Sequence, residues 1–121
     1  MFITMDFMFS GCTSLTSLDL RYFDTSNVYN MNFMFNGCSS LTSLDITNFN
    51  TSKVISMDHL FYGLESIKEI DLSNLDTSEV ECLDYFMADC KSLTSLHINL
   101  KTPKVTSLIG FLQDCSSLIT L

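Results

Sequence analysis

Apolar and polar positions recur along this chain with a period of 26 residues. The motif LTSLDL, or a close variant of it, begins at Leu15, Leu41, Ile67, Leu93 and, in truncated form, Leu118. The first three steps are 26 residues long and the last is 25, because the fourth copy lacks one residue. Repeats of this length indicate an array of structural units, each of which buries its apolar face against its neighbours.

Within each unit, the hydrophobic period changes halfway along. In Leu18–Leu20 and Leu44–Ile46, apolar and polar residues alternate, which is the pattern of a short strand. Further along, the apolar positions fall on one face of a helix. In one copy these positions are Val28, Met31, Met34, Phe35 and Cys38. The pattern therefore predicts a strand followed by a short helix in every unit.

Polar residues and glycines mark the predicted ends of these helices. Asp24–Ser26, Asn50–Ser52 and Asp76–Ser78 carry short oxygen-bearing side chains, which accept hydrogen bonds from the free amides at a helix start. A left-handed residue commonly stops a helix at its other end. The residues at that position are Gly11, Gly37, Gly63, Asp89 and Asp114.

We therefore predict an α/β solenoid, a leucine-rich repeat with a concave parallel β-sheet and short helical segments on the convex side. It is predicted as one domain over residues 1–121, with about 4.5 coils of 26 residues and strands that start near residues 15, 41, 67, 93 and 118. Capping elements are not evident at either end of the sequence. We expect a segment of a longer array, or an array that coils of another molecule complete.

The repeated unit resembles that of the BspA-like leucine-rich-repeat surface proteins. The resemblance covers the whole chain and is carried by the segments FDTSNV and MFxGC(S/T)SLTSLD. It implies secretion, display on a cell surface and adhesion to host matrix or to other cells. The third copy departs from this pattern with YGLESIKEIDL, and the fourth has KTPKV in place of DTSNV.

The charge balance narrows the choice of partners. Lys and Arg total 6 against 14 Asp and Glu, which gives a net charge of −8. An acidic surface repels nucleic acid and anionic lipid head groups, so neither is an expected partner. The chain also has no apolar run approaching the roughly 18 residues of a membrane-spanning helix. Extracellular protein or glycan and self-stacking through open ends are the expected interactions.

The strand alternation places a row of aspartates, Asp19, Asp45 and Asp71, on the exposed concave face. One interpretation is that the carboxylates are satisfied by neighbouring hydroxyl groups and serve solubility. The other is an acidic, hydroxyl-rich groove for a basic partner, a cation or a glycan, since repeat arrays usually bind on that side. The candidate binding residues are Ser17, Asp19, Arg21, Ser43, Asp45, Thr47, Glu69, Asp71, Ser73, Ser95 and His97.

Four of the five cysteines occupy one column of the repeat, in which Leu64 is the other member. A position that accepts leucine is an apolar one, so we predict reduced, buried thiols. Adjacent cysteines of this column are nevertheless close enough for a disulfide. Cys82 lies outside the column and is predicted to be exposed, where it could pair with another chain or react. A metal site is not predicted, because tetrahedral ligands must converge from several directions.

The sequence favours a non-catalytic protein without a cofactor. His59 and His97 occupy different phases of the repeat, and neither accompanies a recognisable nucleophile. We therefore predict a cell-surface adhesion or recognition module that binds through the concave face. One alternative is a structural protein whose coils stack end to end into a filament or surface layer. A second is an intracellular leucine-rich-repeat scaffold or effector, since unpaired thiols persist best in reducing compartments.

Overall fold

The computed structural model describes residues 3–120, in which regular secondary structure is limited to four short strands. They are β1 (Ile3–Thr4), β2 (Val28–Asn30), β3 (Glu69–Leu72) and β4 (Ser95–Ile98). β1 pairs with β2 and β3 pairs with β4, both in parallel, so that two separate two-stranded sheets form. No residue of the described range is helical.

The predicted α/β leucine-rich-repeat solenoid is therefore wrong. A continuous concave sheet is missing from the described residues, because Leu18–Leu20 and Leu44–Ile46 form no strand. Only the third and fourth predicted strand segments are strands, as β3 and β4. The helices predicted for the opposite side are replaced by turns, and β2 lies where a helix was expected to begin.

The helices are excluded by left-handed backbone in the middle of each predicted helical segment. Phe33, for example, has a φ of 59° although it is not glycine. A helix cannot continue through such a residue, which costs about 1–2 kcal/mol in the left-handed region. The equivalent residues share this conformation, with φ between 52° and 63°: Phe7, His59, Tyr85 and Gly110. The residues predicted to stop the helices are left-handed, although no helix precedes them: Gly11, Gly37, Gly63, Asp89 and Asp114.

Consecutive turns take the place of the helix and tie neighbouring units together. We number five units by their first described residues, which are Ile3, Val28, Val54, Val80 and Val105. In the second unit, the amides of Met34 and Asn36 donate to carbonyls three residues earlier, at 3.4 and 3.2 Å. The amides of Phe33, Phe35 and Gly37, which lie between them, donate to carbonyls of the third unit at 2.8, 3.1 and 2.8 Å.

This alternation recurs in the first, third and fourth units. Every second amide of the turn segment therefore donates a hydrogen bond to a carbonyl of the next unit. In a helix, each of these amides would donate to a carbonyl four residues earlier in the same segment. Isolated parallel bridges continue the same register beyond the sheets, from Asn30 to Ser56, Cys82 and Ser107. The units consequently lie side by side with equivalent residues in contact.

The apolar core consists of equivalent side chains stacked from unit to unit. Phe9, Phe35 and Phe61 stack with ring centroids 5.7 and 5.8 Å apart, and Phe86 and Phe111 follow. The valine column at Val28, Val54 and Val80 is fully buried. Other fully buried members of the core are Met31, Met57, Leu83, Leu41, Ile67 and Leu93. Burial of these large side chains accounts for the stability of units that contain little regular structure.

The segments predicted to cap helices instead join the units. Thr51 is buried, and its hydroxyl donates to the carbonyl of Asp76 in the next unit at 2.9 Å and accepts the Asp76 amide at 2.8 Å. Thr25 and Thr77 make the same pair of bonds to Asn50 and Lys101. No helix follows these segments, so the predicted caps are wrong.

Candidate binding face

Asp45 and Asp71 are held in fixed orientations by local turns. In each, Oδ1 accepts the amide two residues later, from Thr47 at 3.0 Å and from Ser73 at 2.9 Å. The hydroxyls of the same two residues donate to the same oxygens at 2.7 and 2.6 Å. Asparagine and aspartate favour this turn because the side chain mimics a backbone carbonyl. The second carboxylate oxygen accepts no hydrogen bond from residues 3–120 in either case, and both side chains are exposed.

Asp19 has the same turn but carries its own cation. Its Oδ1 accepts the amide of Arg21 at 3.1 Å, and the guanidinium binds both oxygens, with Nη2 at 2.8 Å from Oδ2. Arg21 also lies over the ring of Tyr22, whose side chain is exposed. The first carboxylate of the row is therefore neutralised within its own unit, whereas Asp45 and Asp71 make no ion pair with the described residues.

These hydrogen bonds favour the ionised carboxylates. The side chain of Arg21 lowers the pKa of Asp19 to about 2. The amide and then the hydroxyl of Thr47 lower the pKa of Asp45, and the hydroxyl and amide of Ser73 lower that of Asp71, with a smaller contribution from His97. The three groups are consequently ionised at neutral pH.

Two open grooves of about 360 Å³ each lie along this row and share Asp45. The first also contains Ser17, Asp19, Arg21, Thr47 and Asn48. The second also contains Thr42, Ser43, Glu69, Asp71 and His97. The structure therefore gathers nine of the eleven candidate residues into two neighbouring grooves, and Ser73 and Ser95 lie outside both linings.

Only the second groove is built on sheet. Glu69 and Asp71 of β3 pair with Ser95 and His97 of β4, and Glu69, Asp71 and His97 are exposed. The intervening Ile70 is buried beneath them. Alternation along β3 and β4 thus presents carboxylates to solvent, as the sequence predicted for this part of the face. Around Asp19 the polar side chains are presented by irregular backbone.

All five cysteines are free thiols. Cys38 and Cys90 are buried, and Cys12 and Cys115 are half-buried. Cys82 was predicted to be exposed, but it too is half-buried. Burial and a hydrogen bond to Asp58 raise the pKa of Cys82 to about 11, so this thiol is protonated at neutral pH.

Cys82 belongs to a ladder of polar side chains that the sequence analysis missed. Asn32 Oδ1 accepts the Asp58 amide at 2.9 Å, Asp58 Oδ1 accepts the Asp84 amide at 3.1 Å, and Asp84 Oδ1 accepts the Ile109 amide at 2.9 Å. Asp6 makes the equivalent bond to the Asn32 amide. The signal was available, since Asp or Asn recurs every 26 residues at these positions.

The ladder also brings together three groups of the kind that bind metals. Ligand atoms of Asp58, Cys82 and Asp84 lie within 4.8 Å of one another. Each of them already has a structural partner: Asp58 receives the thiol of Cys82, and Asp84 receives the hydroxyl of Ser107. Ser56 donates to Asn32 in the same way at 2.7 Å. The arrangement therefore repeats where no metal-binding set is present, and we interpret it as structural.

The two histidines do not share a site. His59 is stacked between Phe33 and Tyr85, with ring centroids 4.3 and 4.9 Å away, and its Nδ1 is buried without a hydrogen-bond partner. His97 is on β4 at the groove beside Asp71.

Comparison with known proteins gives a family but no closer relative. A search of curated proteins and a search of solved structures each found no match. Within residues 3–120, no helix is long and apolar enough to cross a membrane. The sequence pattern of one family matches residues 3–120, nearly the whole chain. The chain therefore belongs to the family described as "Mycoplasma protein of unknown function, DUF285".

Proposed function

We propose that this chain is a non-catalytic recognition module of a cell-surface protein, which binds a cationic group of a protein or glycan partner at Asp45 and Asp71. The observation that carries the proposal is the pair of adjoining grooves lined by fixed carboxylates. The resemblance of the repeat motifs to BspA-like surface proteins supports an extracellular location.

The charges favour a cationic partner. Asp45 and Asp71 are ionised, pre-oriented and without an ion-pair partner in the described residues, so each can accept a charge-assisted hydrogen bond at little entropic cost. Glu69 and the net charge of −8 add attraction over longer range. Asp19 contributes less, because Arg21 already occupies both of its oxygens.

The test is binding of the chain to a panel of matrix proteins and glycans, measured at two salt concentrations. The double variant Asp45→Asn/Asp71→Asn keeps the turn geometry and removes both charges. The matched control is Asp24→Asn/Asp76→Asn, since these aspartates make the same turn with the following serine but lie outside both grooves. Asparagine occurs naturally at the equivalent position 50.

We expect the groove variant to lose about tenfold or more in affinity, the equivalent of 1.4 kcal/mol or more. The control should bind as the parent chain does, and higher salt should weaken parent binding. Equal affinity of both double variants and the parent would contradict the proposed face. Failure to bind any member of the panel would contradict the proposed function.

A second candidate function is self-association into a structural assembly. It is supported by large apolar side chains that are exposed in the first and last units: Phe7, Met8, Leu108, Ile109 and Ile119. Contiguous exposed apolar surface commonly marks an interaction site. Light scattering over a range of concentrations would support this alternative if it detected polymers, and a concentration-independent monomer would exclude it.

A further inference from the structure

The turn segment of each unit has two different edges. In each of the first four units, three alternate amides donate to carbonyls of the next unit, at 2.7–3.1 Å. In the first unit, the donors and their acceptors are Phe7 and Asn32, Phe9 and Met34, and Gly11 and Asn36. All of these bonds run in the same direction along the array. One edge of a turn segment therefore offers donors to its neighbour, and the opposite edge offers acceptors.

The first and fifth units each present one of these edges without a partner among residues 3–120. The unpaired donors of the fifth unit are the amides of Gly110, Leu112 and Asp114. The unpaired acceptors of the first unit are the carbonyls of Asp6, Met8 and Ser10. Both sets occupy the positions that are bonded between the interior units. An unpaired backbone edge is a template for another chain, and here the two edges are complementary.

The apolar columns of the core also match between these two units. Met8 of the first unit is 45% exposed and Leu108 of the fifth is 46% exposed, whereas the equivalent Leu60 and Met57 of the third unit are at most 1% exposed. Stacking the first unit on the fifth places apolar residues together in each column. The pairs are Met5 with Leu108, Met8 with Phe111, Phe9 with Leu112, and Leu15 with Leu118. Burial of these side chains favours the contact.

The polar ladder stops at the same junction without leaving a donor unpaired. The fifth unit has Ile109 where the other units have Asp or Asn, so it offers no side-chain acceptor to a following unit. The amide that would need this acceptor in a second copy is that of Asp6. It already bonds to Thr4 Oγ1 at 3.2 Å within its own unit. The contact with Ile109 therefore costs no hydrogen bond.

We propose that copies of this chain associate head to tail, with the first unit of one copy stacked on the fifth unit of another. The proposal rests on self-association, the second candidate function above, and gives it one geometry. Two different surfaces meet, so a dimer keeps one free surface of each kind and can add further copies. Symmetric pairing of two like ends is excluded, because donors would face donors or acceptors would face acceptors.

The test uses two variants that each block one end, Met8→Lys in the first unit and Leu108→Lys in the fifth. An ammonium group buried in the contact without a partner is costly. Sedimentation velocity is measured at high salt, which screens the repulsion between copies with a net charge of −8. We expect each variant alone to be monomeric at concentrations at which the parent polymerises. An equimolar mixture should form a 1:1 dimer and nothing larger, since one free end of each kind remains.

The parent chain supplies a readout that does not depend on the variants. Its mass should exceed that of a dimer and increase with concentration. The groove variant Asp45→Asn/Asp71→Asn keeps both end units unchanged and should associate as the parent does. This control separates the proposed contact from binding at the grooves. Circular dichroism establishes that each variant is folded before its mass is measured.

Three outcomes would overturn the proposal. A parent mass that stops at the dimer would indicate a symmetric contact and would leave self-association itself in place. A parent chain that stays monomeric would exclude self-association together with its geometry. Folded end variants that dimerise alone, or that remain monomeric when mixed, would show that the two end surfaces do not bind each other.

Discussion

At the scale of single residues, side-chain oxygens supply the hydrogen-bond partners that a helix or a wide sheet would otherwise provide. Thr51 is 1% exposed, yet its hydroxyl is fully used as a donor and as an acceptor by one residue of the next unit. A buried polar group of this kind is tolerated because its bonds are made. The neighbouring Ser52 is exposed and bonds only to Asn50 within its own turn.

The first prediction compares these two neighbours. Thr51→Val keeps the shape of the side chain but leaves the amide and carbonyl of Asp76 without their partner, so we expect a loss of about 1–3 kcal/mol in unfolding free energy. Ser52→Ala should change stability by less than about 0.5 kcal/mol, as exposed substitutions usually do. Urea denaturation measures both. Equal midpoints for the two variants would show that the threonine bonds between units contribute little.

At the scale of elements, the ladder of Asp6, Asn32, Asp58 and Asp84 connects all five units through side chain to backbone bonds. Each bond uses an oxygen that aspartate and asparagine share. This explains why both residues occur in one column. It also indicates that the bond between units does not require the negative charge of aspartate.

The second prediction follows from that equivalence. Asp58→Asn should retain near-parental stability, because Oδ1 still accepts the Asp84 amide, as Asn32 Oδ1 accepts that of Asp58. Asp58→Ala should cost about 1–3 kcal/mol, because the Asp84 amide loses its acceptor. Denaturant midpoints measure the difference. An Asn variant as unstable as the Ala variant would mean that the negative charge carries the interaction.

The element scale also shows what the sequence could and could not predict. The 26-residue period predicted the unit length and the buried columns, because equivalent residues do stack. The helix prediction failed because apolar offsets of three and four also arise from consecutive turns. The decisive left-handed residue is Phe33 in the second unit and Tyr85 in the fourth, and bulky aromatic residues rarely adopt that conformation, so they do not predict it.

The strand predictions failed, and the predicted exposure of individual side chains was right or wrong, for similarly local reasons. Leu44 and Ile46 are buried as their alternation predicts, but the backbone bond that links their segment to the first unit, from Thr42 to Thr16, is 3.4 Å long and no ladder forms. Alternation of apolar and polar residues predicts which side chains are buried, but it does not predict that the segment pairs with a neighbouring strand. It therefore predicted correctly that the side chains of the aspartate row are exposed. The half-buried, protonated thiol of Cys82 depends on Asp58, which lies in another unit.

At the scale of the whole molecule, hydrogen bonds to carboxylates make the unfolding free energy depend on pH. The hydroxyl and amide of Ser78 lower the pKa of Asp76, and the hydroxyl of Ser107 lowers that of Asp84. Asp24, Asp45 and Asp71 shift in the same direction. A lowered pKa in the folded state means that folding favours the ionised group.

The third prediction is a loss of stability in acid. These contributions are present in full above the ordinary aspartate pKa of 3.8 and are lost as pH falls through it toward the lower values of the folded state. The melting temperature should therefore be nearly constant from about pH 7 to 5 and should fall below about pH 4. Asp76→Asn should weaken this dependence, since asparagine keeps the turn without titrating. A melting temperature that rises on acidification would contradict the assignment.

The hydrogen bonds of the buried threonines also show where one unit is a residue shorter than the others. Thr25 and Thr51 bond to the residue 25 positions later, whereas Thr77 bonds to Lys101, 24 positions later. The backbone bond from Thr106 to Glu81 lies beyond the missing residue and restores the match between the fourth and fifth units. The segment between β4 and Lys101 has thus shortened without loss of alignment on either side. A change in chain length at this point is therefore absorbed locally, and the hydrogen bonds between the flanking units keep their register.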